Sequence, residues 1–123
     1  MITQVKNVGV FVKDQERALD FYTNKLGFEV LVNDDWGGGK RWIEVAPKGA
    51  ETRLSLFTPE GMEDQIGSFS RIVFRCNDVR ATYEELKSRG VNFTQELSEE
   101  SWSAWAQFVD PDGNSFVIAS EKD

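Results

Sequence analysis

The sequence predicts an α+β protein made of two pseudo-repeated β-α-β-β-β modules that form a cupped mixed sheet. Residues 10–30 run parallel to residues 73–93: each stretch opens with Val-Phe at the end of a strand-like run, reaches an aspartate, continues for the length of a helix and stops at a glycine. Three further strand-like runs follow each helix. The match requires one residue fewer in the second helix than in the first.

Each predicted helix begins at an aspartate, Asp14 or Asp78, whose carboxylate can accept the unpaired N–H groups of the first turn. Each ends at a glycine, Gly27 or Gly90, which suits the left-handed position after the last turn. Apolar residues recur between these signals at spacings of three and four, so each helix has one apolar face for packing. They are Ala18, Phe21, Tyr22 and Leu26 in the first helix and Val79, Tyr83 and Leu86 in the second.

The predicted strands are short runs rich in β-branched and aromatic residues, separated by turn-forming sequences. In chain order they cover residues 5–12, 28–33, 41–47, 52–57, 69–76, 91–97, 104–109 and 115–120. Gly37–Gly39 follows a strand instead of opening a helix, so it lacks the context of a phosphate-binding loop. It is interpreted as a mobile hairpin tip, with Trp36 as a candidate lid.

A chain of 123 residues has the length of one domain, so residues 1–123 are expected to form a single domain. Within it, the first module covers about residues 1–58, a linker about residues 58–67 and the second module about residues 68–123. A composition of 40% hydrophobic and 28% charged residues is typical of a globular protein and not of a disordered one.

The charge balance argues against nucleic-acid and membrane partners. The 14 basic and 21 acidic residues give a net charge of −7, which repels phosphate backbones and anionic lipid headgroups. The apolar stretch at residues 8–12 is too short for a signal sequence or a membrane span, so a cytoplasmic location is expected. The single cysteine, Cys76, has no histidine to activate it and is interpreted as a buried, inert thiol.

Two motifs resemble the vicinal oxygen chelate superfamily, which groups glyoxalase I, bleomycin-resistance proteins, fosfomycin-resistance enzymes and extradiol dioxygenases. The first, D-x-x-x-A-x-x-F-Y-x-x-x-L-G-F, runs from Asp14 to Phe28, and the second, D-P-D-G-N, runs from Asp110 to Asn114. The resemblance extends over essentially the whole chain and implies a glyoxalase/bleomycin-resistance-like fold. It implies less about activity, because the superfamily includes both metal enzymes and proteins that only bind and sequester drugs.

Superfamily members that carry a metal hold it with side chains, usually His, Gln or Glu, on four strands of a concave sheet. The resemblance maps those positions to Asn7, the vicinity of Ser55, Arg71 and Val117. These side chains lack the carboxylate and imidazole donors that a divalent ion needs. The resemblance therefore implies that the metal site is lost and that no cofactor is required, although a site built from carboxylates alone stays open as an alternative.

Period-two alternation along the strands predicts which side chains face the cup. Trp42, Trp105 and Phe57 are candidates for a surface on which a flat or amphipathic molecule stacks, or else for core or dimer-interface positions. Glu44 is interpreted as a carboxylate for a cationic ligand, a general base of raised pKa, a solvent-facing residue, or a partner of Arg71 or Arg53. The predicted ligand-binding residues are Asn7, Trp42, Glu44, Ser55, Phe57, Arg71, Trp105, Gln107 and Val117.

The leading functional hypothesis is metal-independent binding of a small amphipathic or aromatic molecule in a concave sheet cavity, as the resemblance to bleomycin-resistance proteins implies. A net charge of −7 is compatible with a cationic ligand. A homodimer is expected, since members of the superfamily commonly pair two chains. The alternatives are a metal-dependent glyoxalase, dioxygenase or thiol-transferase type of enzyme with non-standard ligands, and a metal-free enzyme that relies on Glu44 or Arg71.

Overall fold

The computed structural model describes residues 1–121 and divides the chain into two compact units, Met1–Ile66 and Gly67–Asp123. The first unit contains β1 (Asn7–Val10), α1 (Gln15–Asp20), a π-helical turn (Phe21–Lys25), β2 (Glu29–Gly37), β3 (Lys40–Ala46), β4 (Arg53–Leu56) and a 3-10 helix (Glu63–Gln65). The second contains β5 (Phe69–Arg75), α2 (Val79–Ser88), β6 (Asn92–Glu99), β7 (Ser103–Val109) and β8 (Ser115–Glu121). The predicted α+β fold of two β-α-β-β-β modules is confirmed, whereas their union into a single domain stays a prediction.

Each unit has its own four-stranded mixed sheet with the same topology. The strand order is β1-β4-β3-β2 in the first unit and β5-β8-β7-β6 in the second. The first strand of each module runs parallel to the last one, and the remaining pairs are antiparallel. The repeat seen in the sequence is therefore a repeat of sheet topology.

One face of each sheet contributes apolar residues to the core of its unit. In the first unit, Val8 lies opposite Leu54 in β4, and Val45 of β3 lies beside the same leucine. The buried apolar side chains of this unit are Val10, Val12, Ala18, Phe21, Tyr22, Ile43, Val45, Ala46, Leu54 and Leu56. Those of the second unit are Val79, Leu86, Val91, Ala104, Ala106, Phe108, Phe116 and Ile118. The apolar helix faces predicted from the spacing are confirmed, although Leu26 and Tyr83 are only half-buried.

Both predicted helix starts are confirmed by their caps. The Asp14 carboxylate accepts the N–H groups of Glu16 and Arg17 at 2.9 and 3.1 Å. The carboxylate of Asp78 accepts the N–H of Ala81 at 3.0 Å. These bonds satisfy N–H groups that have no partner within the helix.

The extra residue of the first helix is accommodated by a π-helical turn. The N–H of Leu26 donates to the carbonyl of Phe21, five residues back, at 3.1 Å. A wider turn takes up one more residue than an α-helical turn does, so the helix still ends at Gly27, whose φ is 78°. The one-residue mismatch between the two repeats is thus absorbed inside the helix, and the strands that follow keep their places.

Some predicted boundaries are wrong. The second strand continues through Asp34, Asp35 and Trp36 to Gly37, where a turn was expected from residue 33 onward. Aspartates have low strand propensity, but the hairpin partner β3 supplies hydrogen bonds that override it. The first strand is also shorter than expected, since it covers only Asn7–Val10. The segment predicted as a linker, residues 58–67, contains the 3-10 helix, and its role as a linker stays a prediction.

The D-P-D-G-N motif closes the turn between β7 and β8. The Asp110 carboxylate accepts the backbone N–H groups of Asp112 and Asn114, each at 2.9 Å, and the side-chain amide of Asn114 at 2.9 Å. Asn114 in turn accepts the N–H of Gly67 at 2.9 Å. Asp110 and Asn114 are both 4% exposed, so these bonds replace water that the buried groups would otherwise need.

Replacing Gly67 with alanine is expected to destabilise the protein more than replacing Gly49. Both glycines have a left-handed backbone, with φ of 86° and 80°, which costs an alanine about 1–2 kcal/mol. A Cβ at Gly67 would also lie 2.8 Å from the carbonyl oxygen of Asp112, whereas a Cβ at Gly49 would meet no atom within 4 Å. Moving the Asp112 turn should add about 1–3 kcal/mol to the loss. Urea unfolding of both variants measures the difference, and equal losses would contradict the steric argument.

Candidate ligand-binding site

The first sheet brings three predicted polar residues together on one face. Ser55 of β4 pairs with Glu44 of β3 on one side, while β1 contributes Asn7 to the same face on the other side. The Ser55 hydroxyl donates to the amide oxygen of Asn7 at 3.4 Å. Ser55 is 4% exposed and Glu44 is 1% exposed. The alternation argument is therefore confirmed for this face.

Glu44 is a buried carboxylate with cationic and aromatic partners. It accepts the indole N–H of Trp42 at 2.8 Å and a guanidinium N–H of Arg53 at 3.1 Å, and the Lys6 ammonium lies 4.0 Å away. Of the two predicted partners, Arg71 and Arg53, it is Arg53 that pairs with Glu44. The solvent-facing alternative is wrong.

The pKa of Glu44 lies below its usual value. Burial raises the pKa, but the hydrogen bonds from Trp42 and Arg53, with the charges of Lys6 and Arg53, lower it by more. Glu44 is therefore ionised at neutral pH. The alternative of a general base with a raised pKa is wrong, because the groups that surround this carboxylate favour its charged form.

Three aromatic side chains, Trp36, Trp42 and Phe57, form what we call the aromatic cluster. Trp36 stacks on Trp42 with ring centroids 5.3 Å apart and planes at 10°. The ring of Phe57 lies 5.6 Å from that of Trp42 and 6.0 Å from that of Trp36. Trp42 and Phe57 are half-buried, while Trp36 is 63% exposed. The cluster thus presents an open aromatic surface whose central ring is held by Glu44.

The position of Trp36 follows from an irregularity in the β2–β3 hairpin. Asp35 pairs with Arg41 and Gly37 pairs with Lys40, so Trp36 has no pairing partner in β3. An extra residue of this kind is a β-bulge, which turns a strand and re-aims side chains. The predicted hairpin tip is confirmed at Gly38 and Gly39, whose φ values are 65° and 79°. From the sequence Trp36 is only a candidate lid, because a bulge leaves no mark in the alternation pattern.

A cavity of about 980 Å³, which we call the groove, adjoins the aromatic cluster. It is lined by residues 12–17, by residues 39–41 and by Phe57, Thr58, Glu63 and Ile66. Phe57 belongs to both the groove and the cluster. The groove lies where β1 and β4 end and α1 and β3 begin, a place that strand alternation alone does not reveal.

Gln15 ties the start of α1 to two strands of the sheet. Its side-chain amide donates to the carbonyls of Arg41 and Leu56 at 2.7 and 2.8 Å, and its oxygen accepts the N–H of Arg41 at 3.2 Å. The guanidinium of Arg41 also pairs with Glu16. These bonds hold the helix against the strand ends and thereby fix the walls of the groove.

The second sheet carries its own set of predicted residues. Gln107 pairs with Val117 and Trp105 pairs with Ala119, so Trp105, Gln107 and Val117 share one half-buried face. Arg71 is different: it is exposed, has a φ of 62° and lies where the pairing of β5 with β8 shifts register. A left-handed conformation is unusual for a long side chain, and regular alternation is wrong at this position. A role in ligand binding stays a prediction for all of these residues.

The four positions mapped to metal ligands do not fit a divalent ion. They offer an amide, a hydroxyl, a guanidinium and an alkyl group, and the amide oxygen of Asn7 already accepts from Ser55. Within residues 1–121, no group of three or more His, Cys, Asp or Glu side chains is placed to hold a metal.

Cys76 is half-buried, and burial raises the pKa of its thiol despite a hydrogen bond with Thr82 that lowers it. The thiol is therefore protonated at neutral pH.

Comparison with known proteins identifies the family. A family model described as the Glyoxalase/Bleomycin resistance protein/Dioxygenase superfamily matches residues 4–118, so the chain belongs to this superfamily. YetH of Bacillus subtilis (strain 168), an uncharacterized protein, is 42% identical over 118 residues, which cover 96% of this chain and 98% of YetH. No helix within residues 1–121 has the length and hydropathy needed to cross a membrane.

Two solved structures are similar over 98% of this chain and 98% of their own. One is TnmS3, an antibiotic binding protein from Streptomyces sp. CB03234, with a TM-score of 0.85 and 38% identity. The other is a superfamily member from Sphaerobacter thermophilus DSM 20745, with a TM-score of 0.87 and 36% identity. The fold and the family predicted from the two motifs are confirmed.

Replacing Glu44 with glutamine is expected to reduce the dependence of stability on acid pH. Because the pKa of Glu44 is lowered by folding, its charge stabilises the protein above about pH 4.5, and this contribution disappears as the pH falls through the lower pKa of the folded state. At neutral pH the variant should lose about 1–3 kcal/mol of unfolding free energy, since Trp42 and Arg53 lose a charged acceptor. Urea unfolding at a series of pH values measures both effects.

The matched control for this prediction is Glu51→Gln, since Glu51 is an exposed acid in the turn between β3 and β4. This variant should follow the wild-type curve at every pH. If the Glu44→Gln curve also ran parallel to that of the wild type, the carboxylate would not be stabilised by its neighbours.

Proposed function

We propose that this protein reversibly binds a small flat aromatic or amphipathic molecule on the aromatic cluster, without a metal ion. The observation that carries the proposal is the fixed orientation of Trp42, whose indole N–H is held by the buried Glu44 carboxylate at 2.8 Å. A ring that is already immobilised loses little conformational entropy when a ligand stacks on it. Trp36 and Phe57 extend the same surface on both sides.

The exposed aromatic area supplies the driving force. Trp36 is 63% exposed, and Trp42 and Phe57 are also partly open to solvent. Covering such surface with a flat ring contributes about 25 cal/mol per Å², and stacking adds about 0.5–1.5 kcal/mol for each aromatic pair. The likeness to TnmS3, which is described as an antibiotic binding protein, supports binding as the activity.

The polar groups of this face favour binding over catalysis. Glu44 has both carboxylate oxygens engaged and is a weak base, because its pKa is lowered by its neighbours. Asn7 and Ser55 are hydrogen-bonded to each other and are neutral. Of these groups, the half-buried Asn7 can orient a polar substituent of a ligand, which is the usual function of the few polar residues in an aromatic site.

We further propose that two chains pair in solution. β2 lies at the edge of its sheet and carries Val30 and Leu31, which are 41% and 40% exposed. An exposed strand edge with apolar side chains is prone to association with another strand. Sedimentation at micromolar concentration should give about twice the 14.0 kDa chain mass, whereas a monomer at all concentrations would contradict pairing.

Replacing Trp42 with alanine is expected to weaken ligand binding at this face. A fluorescence screen of cationic, aromatic and dicarbonyl small molecules should find a compound that quenches tryptophan emission saturably. Trp42→Ala should weaken its binding at least about tenfold, since the loss of one stacking indole costs a few kcal/mol. The same titration with Trp105→Ala tests the predicted role of the second sheet.

The control variant is Trp102→Ala, because Trp102 is 66% exposed, lies in the turn between β6 and β7 and is not among the predicted ligand-binding residues. It should keep wild-type affinity. The wild-type titration should also be unchanged by a chelator. Loss of binding in the chelator would support the metal-dependent alternative instead.

A further inference from the structure

The groove beside the aromatic cluster has a charge opposite in sign to that of the whole chain. Its lining residues include four cations, Lys13, Arg17, Lys40 and Arg41, and three anions, Asp14, Glu16 and Glu63. The chain as a whole has a net charge of −7. The excess of one positive charge in the groove is therefore a local feature of this surface.

The three acids of the groove are already engaged. Asp14 caps α1 through two backbone N–H groups, and Glu16 pairs with Arg41. Glu63 accepts the N–H of Gly61 at 3.2 Å. The charge of Glu16 is thus neutralised by Arg41, and the other two carboxylates are held by backbone N–H groups.

The two lysines of the groove lack such partners. Within residues 1–121, neither the Lys13 nor the Lys40 ammonium forms a hydrogen bond or an ion pair, and both residues are exposed. The Lys40 ammonium lies 6.0 Å from the centroid of the Phe57 ring, at the point where the groove meets the aromatic cluster. Its charge also reaches Glu63, whose pKa is lowered by the backbone N–H groups of Glu63 and Gly61 and to a smaller extent by Lys40.

We propose that the groove binds the negatively charged end of an aromatic ligand, with the carboxylate or sulfonate at Lys40 and Lys13 and the ring against Phe57 and Trp42. This inference rests on the proposed function and adds the sign of charge of the ligand. Phe57 connects the two surfaces, so one small molecule can occupy both. The cations supply long, adaptable side chains that can close on an anion of variable shape.

The negative charge of the chain does not prevent this binding. At physiological ionic strength the screening length is about 8 Å, so distant carboxylates act weakly on a ligand in the groove while lysines in contact with it act strongly. Raising the salt concentration should therefore weaken binding of the anion, because it screens the attractive contacts.

The test uses two compounds that have the same ring and opposite charges, 2-naphthoate and 2-naphthylmethylammonium, added to ¹⁵N-labelled full-length protein. 2-Naphthoate should bind at least about threefold more tightly at low salt. It should shift the backbone amide signals of Gly39, Lys40 and Thr58 together with the indole signals of Trp36 and Trp42. The preference should diminish at about 0.5 M salt.

Single substitutions locate the anion. Lys40→Gln and Lys13→Gln should each weaken binding of 2-naphthoate by about two- to fivefold and should not weaken binding of the cation, because they remove a repulsive charge. Lys48→Gln, in the exposed turn between β3 and β4, should change neither. Amide spectra of the three variants verify that each is folded.

The outcomes separate this inference from the proposed function. If both compounds shift the indole signals with equal affinity, or if the cation binds more tightly, the anionic assignment is overturned while aromatic binding stands. If the indole signals move but the groove amides and the lysine variants show no effect, the groove is overturned as the anion site. If neither compound shifts the indole signals, the proposed function fails as well.

Discussion

The buried charge of Glu44 is the constraint on which the arrangement of the first unit's aromatic face depends. An ionised carboxylate that is 1% exposed is stable only where donors and cations replace its water shell. Arg53 and the Trp42 indole supply the two direct bonds, and Lys6 adds a third charge. Because a tryptophan that donates to a fixed acceptor has one preferred ring orientation, this bond fixes the indole ring on which Trp36 stacks. A central polar interaction thereby organises an apolar surface.

The two units show how one topology supports different surfaces. Both sheets have the same strand order, but the second unit packs four phenylalanines against one another, with the ring centroids of Phe74 and Phe116 5.4 Å apart and those of Phe93 and Phe108 5.8 Å apart. Phe108 and Phe116 are buried, and the other two are half-buried. The first unit places aromatic rings at the hairpin end of its sheet, where they reach solvent. The π-helical turn belongs to this divergence, since it inserts a residue into α1 without shifting the strands. The two repeats therefore share one strand topology, but they place their aromatic residues at different positions of the sheet.

Features set by local physics could be predicted from the sequence, and features set by partners across the sheet could not. Asp14 and Gly27 mark a helix because capping and a left-handed turn depend on neighbouring residues alone. The shared face of Asn7, Glu44 and Ser55 follows from a period of two. In contrast, the pKa of Glu44 depends on Arg53, nine residues away, and the φ of Arg71 depends on a register shift against β8. The stack of Trp36 depends on a bulge, which sequence alternation does not reveal.

The net charge of the chain and the charges of the groove lead to different expectations for the charge of a ligand. A net charge of −7 describes a field that ions screen within a short distance, and it suggests a cationic ligand. A bound molecule instead meets individual groups, and the acids around the groove are engaged with the helix start, Arg41 and the Gly61 backbone. The ammonium groups of Lys40, beside Phe57, and of Lys13, also in the groove, form no ion pair within residues 1–121. Since binding depends on the groups that gain a partner, the ligand should complement these lysines and not the charge of the whole chain.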